Sequence, residues 1–270
     1  EVGNYPGAGF VVVPDSMEAL HALARHRRSR FRGKIIGITG SNGKTIVKEW
    51  LYQLMQQKLK VVRSPRSFNS QLGVPLSLWL LSERFETGII EAGISLPGEM
   101  EKLESMIGPD IGILTNIGPA HREGFTSDAA KLREKLKLFM RANTIIYRSD
   151  CEVDGQPLSH YLSDLDGRKV SWSLEGESTY RFERVETDGK VMLKLNRQSI
   201  LLPLPFGDPA SVENACHVIV CLLETGFDPG WIGTQLAGLE PVEMRLQILK
   251  GLHGSTLVSD VYNSDLAGLD

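Results

Sequence analysis

Apolar positions along this chain fall into short runs that alternate with helical stripes. Lys34-Ile-Ile-Gly-Ile38 is a short apolar run ending in glycines, as a buried strand requires. Beyond it, Ile46, Val47, Trp50, Leu51, Leu54 and Met55 recur at helical spacing and leave Lys48, Glu49 and Gln53 on the other face. The alternation continues with a strand at Val61-Val62, a helix from Val74 to Leu81 with Pro75 in its first turn, and a strand from Gly88 to Ala92. A helix follows from Pro97 to Met106, a strand from Ile111 to Thr115, a helix from Ser127 to Arg141 and a strand from Thr144 to Tyr147. Upstream, Gly9 to Pro14 reads as a short strand, and Asp15-Ser16 caps a helix running to about Arg30. Strands alternating with helices predict an α/β fold, a mostly parallel sheet with helices on both faces.

The pattern changes near residue 166. Tyr180 to Val185 and Val191 to Leu195 flank Thr187-Asp-Gly-Lys190, a hairpin signal, and Ser199 to Leu204 adds a third strand. This predicts a small antiparallel β-hairpin element beside the parallel sheet. Two helices follow, about Asp208 to Thr225 and Pro229 to Leu236, then strands at Leu246 to Leu249 and Thr256 to Ser259.

Composition changes this picture little. A length of 270 residues accommodates one large domain or two modest ones. With 41% hydrophobic and 23% charged residues the chain has an ordinary globular balance, and a net charge of −3 gives no bulk attraction to nucleic acid or anionic membrane. The cluster His26-Arg27-Arg28-Ser29-Arg30 reads as a solvated helix end. No apolar run has the length of a membrane span. Cys151, Cys216 and Cys221 are odd in number and fit no zinc spacing, which points to reduced thiols and a cytoplasmic protein. The chain opens without an initiator Met or a signal-peptide layout, so it is expected to be a portion of a longer protein.

The chemistry begins at Gly40-Ser-Asn-Gly-Lys-Thr45, between a strand and a helix. Glycines let backbone N–H groups converge on phosphate oxygens, and the helix N-terminus adds a favourable dipole. Lys44 is placed to reach terminal phosphates, and the Thr45 hydroxyl to bind magnesium. The general phosphate loop has four residues between its glycines; here Ser41 and Asn42 alone separate Gly40 from Gly43. The bland alternative is a glycine turn that only joins strand to helix. Glu91, at a strand end, is either a surface carboxylate or a partner for a nucleotide-bound cation. Asn69 either touches a substrate or caps a loop. Lys135 sits at the margin of a stripe formed by Leu132, Leu136, Phe139 and Met140, as a snorkelling lysine does. Asn214, in Val212-Glu-Asn-Ala215, opens a helix, where ordinary N-terminal hydrogen bonding also accounts for it.

Thr39-Gly-Ser-Asn-Gly-Lys-Thr45 resembles the shortened loop of the Mur ligases and their folylpolyglutamate synthase relatives. Ile90-Glu-Ala-Gly93 resembles the family's strand-end Glu-x-Gly, and Thr115 to Phe125 its loop carrying a conserved-type His, here His121. The resemblance implies ATP and magnesium as cofactors. It implies that Gly40, Ser41, Asn42, Gly43, Lys44 and Thr45 hold the phosphates and that Thr45 and Glu91 bind the first magnesium. It assigns the second magnesium to His121 and to Lys135 carbamoylated by carbon dioxide, with Lys131 and Lys137 as neighbouring alternatives. Asn214 falls where the family contacts adenine, with Ser211 standing where a second Asn is common. Met244-Arg245 resembles the join to the last domain, which implies that Arg245 approaches the phosphates, with Asp260 and Asn263 near the nucleotide.

Ser259-Asp-Val-Tyr-Asn263 and Asn69-Ser-Gln-Leu-Gly-Val-Pro75 resemble the branch that adds D-alanyl-D-alanine to UDP-N-acetylmuramoyl-tripeptide through an acyl phosphate. The second segment departs from that branch at Ser70 and Gln71. The implied organisation is the end of an N-terminal domain and a linker over 1–30, a central ATP-binding domain over 31–244, and the start of a C-terminal domain over 245–270. The resemblance also allows fusion to an alanine racemase. Alternatives are another Mur-type or folylpolyglutamate-type ligase, or a nucleotide-binding fragment without ligase activity.

Overall fold

A computed structural model describes residues 9–118, 124–185, 190–195, 198–242, 247–250 and 255–259. Strands β1 (Lys34–Thr39), β2 (Val61–Arg63), β3 (Thr87–Glu91), β4 (Ile111–Leu114) and β5 (Thr144–Arg148) alternate with helices α1 (Ser16–Ser29), α2 (Lys44–Met55), α3 (Gly73–Leu78), α4 (Glu99–Ile107) and α5 (Asp128–Leu136). A small hairpin of β6 (Glu152–Val153) and β7 (Gln156–Pro157) leads to α6 (Leu158–Leu162). Strands β8 (Arg168–Ser173), β9 (Tyr180–Val185), β10 (Lys190–Leu195) and β11 (Gln198–Pro203) precede α7 (Pro209–Glu224) and α8 (Pro229–Leu236). The last described strands, β12 (Gln247–Lys250) and β13 (Thr256–Ser259), pair antiparallel in a sheet of their own.

The main sheet has nine described strands in the order β11-β10-β9-β8-β5-β4-β1-β3-β2. Pairing is parallel from β2 through β9 and antiparallel over β9-β10-β11. Successive side chains of a strand point to opposite faces. Ile36 and Ile38 of β1 accordingly enter one apolar cluster with Val47, Trp50 and Leu51 of α2 and Val218 and Leu222 of α7. Ile35 enters the other, with Leu78 of α3, Leu103 of α4 and Leu132 of α5. Around β1 and β4 the sheet is therefore buried on both faces, as their apolar runs require.

Capping sets the ends of the helices that matter for the site. Asp208 Oδ1 accepts the Ser211 N–H at 2.8 Å at the head of α7, and Asp228 Oδ1 accepts the Trp231 N–H at 2.8 Å at the head of α8. In both, Pro occupies the first helical turn, where its missing N–H is not needed.

Three sequence expectations are corrected. Gly9 to Pro14 is not a strand; Val11 and Val12 are 86% and 92% exposed, and no described strand pairs with them. The helix expected to Arg141 ends at Leu136 and tightens into a 3-10 turn over Lys137–Phe139. This turn rotates Met140 outward, so it leaves the buried stripe. Lys48 lies in the interior rather than on the polar face of α2. The expected antiparallel hairpin is present as β9-β10-β11, and it joins the main sheet because β9 pairs in parallel with β8. The hairpin turn at residues 187–189 lies outside the described residues. No described helix is long and apolar enough to cross a membrane.

Behind the site, Trp172 Nε1 donates to His217 Nδ1 at 3.0 Å, and the rings meet edge to face. That bond fixes the neutral tautomer with the proton on Nε2, which has no partner among the described residues. Burial, and then the Arg148 charge, lower the His217 pKa from the usual 6.5 to about 3. The unfolded chain therefore takes up a proton at this residue below about pH 6.5 that the folded chain refuses. Stability falls with acidification across the window from about 6.5 to 3, with a slope approaching about 1.4 kcal/mol per pH unit. Urea unfolding at pH 7.5 and 5 should show that loss, and His217→Leu should flatten it.

Candidate functional site

The C-terminal ends of β3, β1 and β4 lie side by side, because β1 sits between the other two. Chain leaving β1 crosses to one side of the sheet and later strands fill the other, so a crevice opens at this edge. The loop Gly40–Gly43 leaves β1 there. Gly40 has φ 151°, and a Cβ on it would lie 1.9 Å from Thr115 Oγ1. Gly43 has φ 80° and caps α2, and a Cβ on it would lie 2.2 Å from Asn214 Oδ1. The loop is thus bracketed by the residue after β4 and by the first turns of α7. The Thr115 hydroxyl donates to the Asn42 carbonyl at 2.6 Å, and the Ser41 N–H donates to the Asn116 carbonyl at 2.7 Å.

Gly43→Ala should combine backbone strain with that overlap and destabilise the protein by roughly 1–3 kcal/mol. Chemical denaturation measures it. Adding Asn214→Ala removes the obstacle, so the double variant should recover part of the loss rather than sum the two.

Lys44 folds over the loop and donates to the carbonyls of Gly40 and Ser41 at 2.9 and 2.7 Å. Lys135 reaches the same Gly40 carbonyl at 3.0 Å from α5. Two lysine amines therefore converge on one acceptor. Lys135 is 2% exposed. Burial first, then the charges of Lys44 and Lys131, hold its pKa well below the ordinary lysine range. Its neighbours differ. Lys131 is ion-paired to Asp128 at 2.8 Å, and Lys137 is paired to Glu134 at 2.9 Å, a hydrogen bond that raises its pKa. Among the three, Lys135 is the one whose surroundings favour a free amine.

Glu91 is 1% exposed. Its Oε2 accepts the Thr45 hydroxyl at 2.9 Å, and its Oε1 accepts the Asn69 amide at 2.7 Å. The Ser67 hydroxyl lies 3.3 Å from Thr45 Oγ1. Asn69 is fixed in turn, since its carbonyl accepts the Gly93 N–H at 2.8 Å. A cleft of about 340 Å³ is lined by Lys44, Ser67, Asn69, Gly93 and Lys135 among others. Its donor set of one carboxylate and neighbouring hydroxyls is hard oxygen, which suits magnesium completed by phosphate oxygens and water. No group of three or more His, Cys, Asp or Glu side chains is gathered for a metal among the described residues.

The structure thus brings together Lys44, Thr45, Asn69, Glu91, Lys135 and Asn214 around the Gly40–Gly43 loop. His121, Arg245, Asp260 and Asn263 lie outside the described residues. The sequence reading passed over Thr115 and Lys48. Lys48 had a signal: three positions beyond Thr45 on a helix, it shares the face that meets Glu91.

The Mur ligase middle domain matches residues 38–222. The UDP-N-acetylmuramoyl-tripeptide–D-alanyl-D-alanine ligase of Treponema pallidum is 38% identical over 261 residues, covering 96% of this chain and 55% of that protein. Its Bacillus subtilis namesake is 26% identical over 260 residues, covering 94% and 55%. The chain therefore spans about half the length of the curated relatives it matches. Among solved structures, MurF from Acinetobacter baumannii superposes with a TM-score of 0.85 at 22% identity, over 96% of this chain and 57% of that one. MurF ligase from Thermotoga maritima in complex with ADP gives 0.81 at 23%, over 98% and 61%. The shortened phosphate loop, the Glu91 strand end and the doubly covered parallel sheet all lie within that match, and the chain belongs to the Mur ligase family through its middle domain.

Proposed function

We propose that this chain is the ATP-binding core of a cytoplasmic ligase that joins D-alanyl-D-alanine to UDP-N-acetylmuramoyl-tripeptide in peptidoglycan precursor synthesis. The observation that carries the reading is the convergence of Lys44, Lys135 and the Thr45–Glu91 pair on one loop and cleft. Similarity to the D-alanyl-D-alanine-adding ligases and the Asp260–Asn263 and Asn69–Pro75 segments support this choice of substrates.

The γ-phosphoryl group of ATP passes to the terminal carboxylate of the tripeptide and ADP leaves. The amine of D-alanyl-D-alanine then attacks the acyl carbon, loses a proton, and expels phosphate. The chain's residues position and neutralise charge rather than form covalent bonds to the substrate. Lys44 turns from the loop carbonyls to the β- and γ-phosphates, and the Gly40–Gly43 backbone and the head of α2 receive them. Asn214, against Gly43, borders the adenine side. Thr45 and Glu91 would hold magnesium, which would supply neutralisation of the phosphate charge when bound. Asn69 orients Glu91 and faces the cleft where the peptide carboxylate arrives. Lys135, as the free amine, would add to carbon dioxide and release a proton, and its carbamate with His121 would supply the ligands for a second magnesium. Arg245, Asp260 and Asn263, outside the described residues, are assigned to the nucleotide by the family resemblance alone. A fused alanine racemase would place D-alanine supply on the same polypeptide, and the mass of the native protein tests that.

The parent protein should release phosphate only when ATP, UDP-N-acetylmuramoyl-tripeptide and D-alanyl-D-alanine are all present. Turnover with glutamate and a folate in their place, and none with these substrates, would transfer the reading to a folylpolyglutamate-type ligase.

A further inference from the structure

The side chain of Lys48 is fully buried, although it belongs to the residue type most at home on surfaces. A buried ammonium persists only where partners replace its water. Lys48 has three. Its Nζ lies 3.8 Å from Glu91 Oε2 and 3.2 Å from Glu49 Oε1, and it donates to the Arg66 carbonyl. Glu49 is itself held by Arg63 Nε at 2.7 Å. Arg66 has φ 46°, a left-handed backbone that non-glycine residues adopt rarely, and that bend turns its carbonyl toward the ammonium.

Thr45 and Asn69 give Glu91 neutral donors, one on each oxygen. The cation within ion-pair distance of Glu91 among the described residues is Lys48. We infer that Lys48 is a resident counter-cation for Glu91, a positioning residue that holds the carboxylate in place without metal and weakens the site's grip on magnesium. The inference rests on the proposed reading of Thr45 and Glu91 as the magnesium pair. Its sign follows from charge alone. Removing Lys48 removes its attraction to Glu91 in both states of the site, but its repulsion of a divalent cation in the loaded state only. Glu49 and the Arg66 carbonyl keep Lys48 satisfied once the cation arrives, so the lysine stays in place and its repulsion persists.

The test is equilibrium binding of a fluorescent ADP analogue to the parent protein, titrated with magnesium chloride. Lys48→Gln keeps a donor for Arg66 but no charge, and should lower the half-saturating magnesium concentration at least threefold. Lys48→Arg should stay near wild type. Binding of the analogue in EDTA should be unchanged in Lys48→Gln, whereas a merely structural role would weaken it. Glu49→Gln, at the outer end of the network, leaves the full Lys48 charge to Glu91 and should raise the half-saturating magnesium about threefold, which keeps the idea testable if Lys48→Gln does not fold. Unchanged or weaker magnesium binding in Lys48→Gln, or tighter binding in Glu49→Gln, overturns the inference. Glu91→Gln separates the two levels: it should raise half-saturation tenfold or more, and no change there removes the Glu91 reading itself.

Discussion

Replacing Lys44 with alanine should lower nucleotide affinity roughly 10- to 100-fold, the equivalent of losing hydrogen bonds from a charged group at about 1.5–3 kcal/mol. Turnover should fall further, because the same ammonium meets the charge that grows on the transferring phosphoryl oxygens. The geometry explains why nothing else substitutes. Lys44 already lies over the loop, on the Gly40 and Ser41 carbonyls, so a small swing brings it to the phosphates. Lys135 reaches only the Gly40 carbonyl, from the far side of the cleft. Calorimetric titration with ADP separates the binding loss from the catalytic one. Wild-type affinity in Lys44→Ala would remove the phosphate loop from the reading.

The second large effect concerns Lys135. Lys135→Ala in the parent enzyme should lose about two to three powers of ten in turnover, as removal of one charge-stabilising group at a reacting centre does. Short carboxylic acids such as acetate should restore part of it, since they return an anion to the space left by the side chain, and methylammonium should not. Burial and the two neighbouring lysine charges lower the Lys135 pKa and so favour the uncharged amine, the form that adds to carbon dioxide. Rescue in Lys131→Ala instead, with an intact Lys135→Ala enzyme, would transfer the role one turn along α5. The Lys131–Asp128 ion pair argues against that outcome, because Lys131 is already engaged with a carboxylate.

Much of this fold is legible in the sequence because its strands are buried on both faces. β3 and β4 are buried at every position and β1 at every position after Lys34, around short apolar runs, and the helices between them carry clear stripes. β8 is not legible in that way. Val170 and Trp172 are buried while Arg168 is exposed, a half-covered pattern that resembles the loop around it. The register that places β9 beside β8 is a long-range choice that no local signal carries. The gathering of Lys44, Thr45 and Glu91 at one loop is legible because strand ends and the loops that leave them are local features. Lys48 was misplaced because charge argues for solvent, and only the three-residue offset from Thr45 argues otherwise. Asn69 could not be divided between substrate contact and loop cap from sequence. Its amide on Glu91 adds a third role, that of orienting the buried Glu91 carboxylate.

Asn214 closes the space beside Gly43, yet the two residues stand near opposite ends of the domain. During synthesis the phosphate loop leaves the ribosome early, while α7 follows only after the antiparallel strands have been made. A nascent chain thus holds the whole glycine motif long before the side chain that completes its wall. Competence for nucleotide would then be acquired late and in one step, when α7 docks on α2, and a ribosome-stalled chain ending before residue 209 should retain little ADP on a nucleotide resin.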